Sequence, residues 1–268
     1  MAAAAPATDM PGLKSRRGNP AWTGFVATLV SELKSFYREP QALAFTLGQP
    51  FILLLILNSF NFHFTVNGVE RPYLDRLLPG MIAFNGMTVG LNSTAFVMSR
   101  LKERGVLRRV RATPIPTASF LGGVILSRMV TAAGVTLVTY AAGVWVFGAE
   151  LQGNFAGLFG LAMLGATIFI AMGILLVAFS RSEDDLPPMF ILVLMPSMLF
   201  SGAFLDRGGL PDWLYWVTNG LPLTFLTHAV QEVATLGGGF AEVRGDILGL
   251  VVWGVAGSAL CTWRFRMA

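Results

Sequence analysis

Residues 155–180 read FAGLFGLAMLGATIFIAMGILLVAFS, 26 consecutive positions without a charged side chain. A helix rises 1.5 Å per residue, so about 20 apolar residues cross the roughly 30 Å hydrocarbon layer of a bilayer. The run is long enough to cross, and it has counterparts. Uncharged runs of that length, or nearly so, occupy 42–62, 79–99, 129–147, 186–205 and 247–263. Together the six predict an all-α membrane protein with six transmembrane helices. The third run is expected to begin as a helix near Thr117, which makes it longer than the membrane is thick. Its first turns then stand in the interface or cytosol, with Arg128 near the lipid headgroups.

Composition agrees. Hydrophobic residues make up 54% of the 268 positions and charged residues only 13%, about half the charged share of a soluble domain. Mean hydropathy is +0.64. That much apolar surface has no place in a core of this size, so lipid is the expected solvent. The one cysteine, Cys261, excludes an internal disulfide framework, and the two histidines, His63 and His228, lie far apart in sequence. No metal site or cofactor is expected within the chain. A net charge of +4 would suggest nucleic acid in a soluble protein; here the placement of the charges argues against it.

Lys14, Arg16, Arg17, Lys34, Arg38, Arg100, Lys102, Arg104, Arg108, Arg109, Arg111, Arg181, Arg264 and Arg266 all fall on one side of a six-span topology. Only Arg71, Arg76, Arg207 and Arg244 fall on the other. Positive charge stays inside, so both termini are expected in the cytoplasm of a cell-membrane protein. Residues 1–19 read as a disordered cytoplasmic leader without a secretory signal. Residues 20–40 read as an amphipathic interfacial or coupling helix, with Trp22, Phe25, Val26, Leu29, Leu33 and Phe36 on one stripe and Glu32, Lys34 and Ser35 opposite. A partner-facing cytosolic helix is the alternative. Residues 41–268 form the membrane domain. The stretch 206–233 is apolar but broken by Gly208-Gly209, Pro211, Gly220 and Pro222. It predicts a re-entrant helical hairpin before the last span, because a seventh crossing would invert the charge pattern.

The six runs hold amides and hydroxyls, including Asn58, Asn85, Asn92 and Thr136, but no ionisable residue at depth. Ion-coupled carriers bind or relay their ion on such residues. The polar groups would either line a path or bond helices together beside small residues such as Gly86 and Gly90. A phosphate-binding loop needs Gly-Lys-Ser/Thr, and none of the three lysines follows a glycine. Any ATPase is therefore expected on a separate polypeptide.

The loop after the second run reads RLKERGVLRRVRATPIP (100–116), followed by TASFLGGVILSRM (117–129). This resembles the cytoplasmic signature of type-2 ABC-exporter permeases, including daunorubicin-resistance-type subunits. The stretch 201–223, with Ser-Gly-Ala-Phe, Leu-Pro and Leu-Pro-Leu, resembles the family's last extracellular segment. Leu205-Asp206 stands where the family often has proline, and Val106 where threonine is frequent. The resemblance implies a dimer of two such permeases, identical or not, each engaging a cytosolic ABC ATPase that holds the ATP and Mg. It implies ATPase coupling through Glu103, Arg104, Gly105, Arg108, Arg109 and Arg111, with Glu32 and Lys34 from the first helix. Asn58, Asn85, Asn92 and Thr136 become candidates for a translocation path, and Asp206, Arg207 and Trp213 for an extracellular gate. Binding of the arginines to anionic headgroups is the competing reading. Glu183, Asp184 and Asp185 read as a solvated loop or as salt-bridge partners of the basic loop.

Export of an amphipathic drug, lipid or glycolipid is the expected function. Polysaccharide or teichoic-acid export is the closest alternative. An intramembrane hydrolase finds little support, since Leu199 stands where a Gly-x-Ser-Gly nucleophile needs glycine. A passive channel is the remaining class.

Overall fold

The computed structural model describes residues 19–38, 40–59, 63–66, 69–106, 116–204, 218–235, 237–239 and 241–267. The first helix, α1 (Pro20–Arg38), precedes α2 (Pro40–Ser59), whose first position is a proline. Proline suits that position because its missing N–H has no partner there. A two-stranded antiparallel hairpin follows, β1 (His63–Val66) with β2 (Val69–Pro72), in register from His63↔Pro72 to Val66↔Val69. Next come α3 (Leu74–Met87), a six-residue π turn (Thr88–Ser93) and α4 (Thr94–Glu103), which run on as one 30-residue helix. Helix α5 (Thr117–Ala141) also ends in a π turn, Ala142–Val146. Asn154 caps α6 (Phe155–Phe179) by accepting a hydrogen bond from the Ala156 amide at 2.9 Å, the usual service of an N-cap side chain. A 3₁₀ turn (Glu183–Asp185) leads into α7 (Leu186–Phe200). Helices α8 (Pro222–Thr235) and α9 (Arg244–Met267) complete the described chain.

Among the described residues, four helices are long and apolar enough to cross a membrane: Leu74–Glu103, Thr117–Val146, Phe155–Phe179 and Arg244–Cys261. Helix α2 has 20 residues, and α7 stops at 15, about 22 Å of rise. The expected fifth run therefore ends early, at a bend where Gly202 takes φ +82°. The fold is helical as expected, and the short hairpin is an addition to it. Its cue was present in the sequence: an Asn-Gly pair links Val66 to Val69, the commonest two-residue hairpin signal.

The bundle has two chemically distinct ends. At one, the hairpin joins α3, and backbone groups tie the connections together. Asp75 Oδ1 accepts from the Glu150 amide at 2.9 Å, Gln231 Nε2 donates to the carbonyls of Arg76 and Gly202, and the Tyr73 hydroxyl donates to the Phe204 carbonyl. The opposite end carries the basic residues that close α4. The chain alternates between these ends. Leu186, the first residue of α7, lies in the buried cluster with Met98 and Val177, whereas Ala203 just beyond α7 touches Gly80 near the start of α3. In α8, Leu226 meets Gly165 of α6 and Val233 meets Gly153 ahead of it. Helix α8 thus runs antiparallel to α6 and climbs back to the hairpin end. The segment 205–217, in which the descending arm of the expected hairpin falls, lies outside the described residues.

Lipid is as apolar as leucine, so helices in a membrane associate by close packing at small residues. Helix α3–α4 is the centre: 72% of its most apolar window is buried, against 11% for α9. Gly80 shows how tight the contact is, since a Cβ there would lie 2.2 Å from the Ala203 carbonyl oxygen. Gly160, by contrast, has nothing within 4 Å of such an atom. Gly80→Ala is therefore expected to cost at least about 1–3 kcal/mol, the usual penalty for overpacking, while Gly160→Ala is near neutral. Thermal unfolding of the two variants in one detergent checks the difference.

Candidate functional site at the basic end

The first two turns of α5 carry Gly122-Gly123, and α1 lies directly on them. A Cβ on Gly123 would come within 2.8 Å of the Phe25 carbonyl oxygen and 2.9 Å of Thr28 Cβ. Small residues let the two backbones meet, and the meeting brings Glu32 to Arg128. Arg128 Nη2 lies 2.8 Å from Glu32 Oε2, and Nη1 donates to Ser93 Oγ at 2.8 Å. Arg128 is only 3% exposed. Two sequence expectations change here. Arg128, expected near the headgroups, points into the protein at that register and finds a carboxylate. Glu32, expected opposite the apolar stripe, turns inward to Arg128, and Lys34 is its exposed neighbour.

The π turn supplies the third wall. A π turn inserts an extra residue in a helix and commonly marks a functional position. Gly90 presses the turn against α6, where a Cβ would meet Phe169 Cβ at 2.7 Å. Asn92 and Ser93 line a cavity of about 350 Å3 that also has Glu32, Arg100, Arg104 and Arg128 in its walls. Asn92 Oδ1 is buried with no hydrogen-bond partner. The other expected path residues are placed differently. Asn85 donates to Thr139 Oγ1 at 3.0 Å and so fastens α3 to α5. Thr136 is buried, its hydroxyl oxygen without a partner, and is not among the residues lining this cavity. The Asn58 side chain lies outside the described residues.

Below the cavity, the acidic turn fastens the end of α4. Arg100 Nε lies 2.8 Å from Glu183 Oε1, Lys102 Nζ donates to the Ser180 carbonyl at 3.2 Å, and Glu103 Oε1 accepts from the Glu183 amide. Of the two readings of Glu183, the salt bridge to the basic loop is the one the structure contains. Asp185 has another task. Its Oδ2 accepts from the amides of Arg181 at 2.8 Å and Ser182 at 3.1 Å, and these bonds hold its carboxyl below the ordinary carboxylate range. The chain then turns at Gly105, with φ +63°. Arg104 is exposed there. Arg108, Arg109 and Arg111, like Asp206, Arg207 and Trp213, lie outside the described residues.

A family model for the ABC-2 type transporter matches residues 23–234. The chain belongs to that family. The match takes in α1, the central helix, the cavity and α8. Among curated proteins, the chain is 25% identical over 186 residues to ABC transporter G family member 20 of Dictyostelium discoideum, covering 69% of this chain and 26% of that one. It is 26% identical over 206 residues to the inner membrane transport permease YhhJ of Escherichia coli, 73% of this chain and 54% of the relative. A probable multidrug ABC transporter permease, YbhR, also of Escherichia coli, is 20% identical over 176 residues, 65% and 48% of the two chains. The chain thus spans about half the length of the bacterial relatives and about a quarter of the Dictyostelium one. The two bacterial relatives carry the names of membrane transport permeases.

Two expectations follow for this permease. Removing one partner of a buried ion pair leaves the other charge stranded, at about 3–5 kcal/mol. Arg128→Met or Glu32→Met alone is expected to destabilise by that order, and the double variant to recover much of the loss. A double-mutant cycle on melting in detergent measures it. For Asp185, the lowered carboxyl means its stabilising bonds persist above the ordinary carboxylate range and fail as pH falls through its folded value. The protection of the Arg181 and Ser182 amides, taken as the exchange rate relative to the intrinsic rate at each pH, is expected to fall at acid pH, and Asp185→Asn to make that protection independent of pH.

Proposed function

We propose that this chain is the membrane-spanning part of an ATP-driven exporter for an amphipathic molecule, a drug, lipid or glycolipid, with ATP hydrolysed on a separate ABC ATPase. In this reading the chain crosses the cell membrane six times, α2 and α7 being the remaining crossings, and both termini lie in the cytoplasm. Helix α8 is the returning arm of a re-entrant hairpin on the extracellular side. Two copies, or this chain and a related permease, enclose the path, with Asp206, Arg207 and Trp213 at its outer mouth.

The observation that carries the reading is family membership across 23–234, joined to the charge pattern. Lys102 and the five arginines of 100–111 belong by sequence to the side that the positive-inside rule makes cytosolic. There the end of α4 is clamped to the 180–185 turn by Arg100, Lys102 and Glu103. A push on Arg104 and the following basic segment reaches the central helix and α6 together. Glu32, held by Arg128, acts as the joint between α1 and α5 and not as a contact to the ATPase. A printed name among the relatives, that of a probable multidrug permease, is in keeping with an amphipathic cargo.

Coexpression with ABC ATPases from the same genome is expected to yield one that copurifies with the chain and whose ATP hydrolysis amphipathic compounds stimulate. Charge reversal of Arg108, Arg109 and Arg111 together is expected to weaken that association at least about tenfold, equivalent to about 1.4 kcal/mol. A chain that stays monomeric and indifferent to every ATPase overturns the reading.

A further inference from the structure

The cavity between α1, the π turn and α5 is built for an anion. Three guanidinium groups line it, from Arg104, from Arg128 beside Glu32, and from Arg100, whose Nε is held by Glu183 outside the lining. Arg128 and Thr131 are buried at its inner part, while Ser35 and Arg104 are exposed at its mouth. Its volume of about 350 Å3 falls in the range of small-ligand sites, which begins at roughly 300 Å3. That admits a headgroup but not a two-chain lipid. Phe36, Phe96 and Leu101 give the same walls an apolar stretch for the start of a tail.

We propose that this cavity binds the phosphate of an anionic amphiphile, and that the phosphate takes the place of Glu32 on Arg128. A guanidinium presents a planar fork that suits carboxylate and phosphate alike. Glu32 is the weaker of the two acceptors, because a phosphate adds oxygens that reach the neighbouring arginines at once. Ser93 Oγ, already 2.8 Å from Arg128 Nη1, keeps the fork oriented during the exchange. Asn92 Oδ1, buried and unpartnered, accepts a hydroxyl of the headgroup. A polyol phosphate therefore satisfies the cavity better than a choline phosphate does. Because Glu32 is the one acidic residue among the described lining residues and belongs to α1, the ligand and α1 compete for the same arginine.

The inference concerns binding alone and stands apart from any transport step, so the test uses the purified full chain in neutral detergent without an ATPase. Dihexanoyl phosphatidylglycerol, dihexanoyl phosphatidylcholine and inorganic phosphate are titrated separately, with binding read by isothermal calorimetry. Saturable binding of the glycerol lipid is expected, weakened about tenfold by Arg104→Gln, the size of one charge-assisted hydrogen bond. Glu32→Gln is expected to tighten it several-fold by removing the competitor. Inorganic phosphate binding with the same dependence on both variants supports the site and identifies a free anion as its source. Equal binding of the two lipids, or an affinity for the glycerol lipid unchanged in Arg104→Gln, overturns the proposal. Arg104 is exposed, so that variant folds even if Glu32→Gln does not. A failed ATPase association leaves these titrations unaffected and sinks only the transport reading.

Discussion

A guanidinium carried into a bundle of apolar helices cannot be left without a counter-charge, because the loss of its hydration outweighs any single hydrogen bond. Arg128 sits in this position on α5, and Glu32 of α1 answers it. Much of the basic end follows from that pairing. The Gly122-Gly123 step lets α1 approach closely enough for the carboxylate to arrive. Ser93 must also face inward to take the second guanidinium nitrogen, and the π turn is what turns it. Remove the charge and α1 has only a modest apolar stripe to hold it, with Trp22 and Tyr37 left facing outward.

Elsewhere the packing relies on the absence of side chains. Gly80, Gly90, Gly153 and Gly165 mark where one helix lets another's backbone or side chain come within van der Waals distance. The central helix meets Ala203 through Gly80, α6 through Gly90 and the turn after α5 through Leu78 against Gly143, so its position is fixed from several sides. At the basic end the fastening is electrostatic, through Arg100 and Glu183 and through Glu103 and the Glu183 amide. Close apolar packing resists sliding, whereas exposed ion pairs exchange partners at little cost. The division places the rigid part of the molecule at one end and the responsive part at the other.

Hydropathy made α6 and α9 legible, since a long uncharged run has no other stable form in lipid. The early start of α5 at Thr117 was likewise readable from the proline that precedes it. Three features were hidden for distinct reasons. The hairpin was hidden because its Asn67-Gly68 cue lies between two much longer hydrophobic runs, 42–62 and 79–99. The inward turn of Glu32 was lost because a stripe drawn on an isolated helix says nothing about a charge waiting on its neighbour. Asn85 looked like a path residue because an amide that fastens two helices and one that lines a pore read identically in sequence. Its bond to Thr139 needed the other helix in place. The basic residues of the loop were legible as a group, and the partner of Arg100 became visible only with the fold.

The π turn at Thr88–Ser93 also bears on how sequences in this region change over time. One residue more or less in an α-helix rotates everything beyond it by about 100°. The extra residue of the turn is thus an angular offset between α3, which faces Ala203, and α4, which faces the 180–185 turn. A single deletion between Gly86 and Arg100 would leave the hydropathy of the span unchanged while swinging Arg100 away from Glu183. The number of residues in that interval is therefore under constraint in its own right, beside the identities of Gly90 and Ser93.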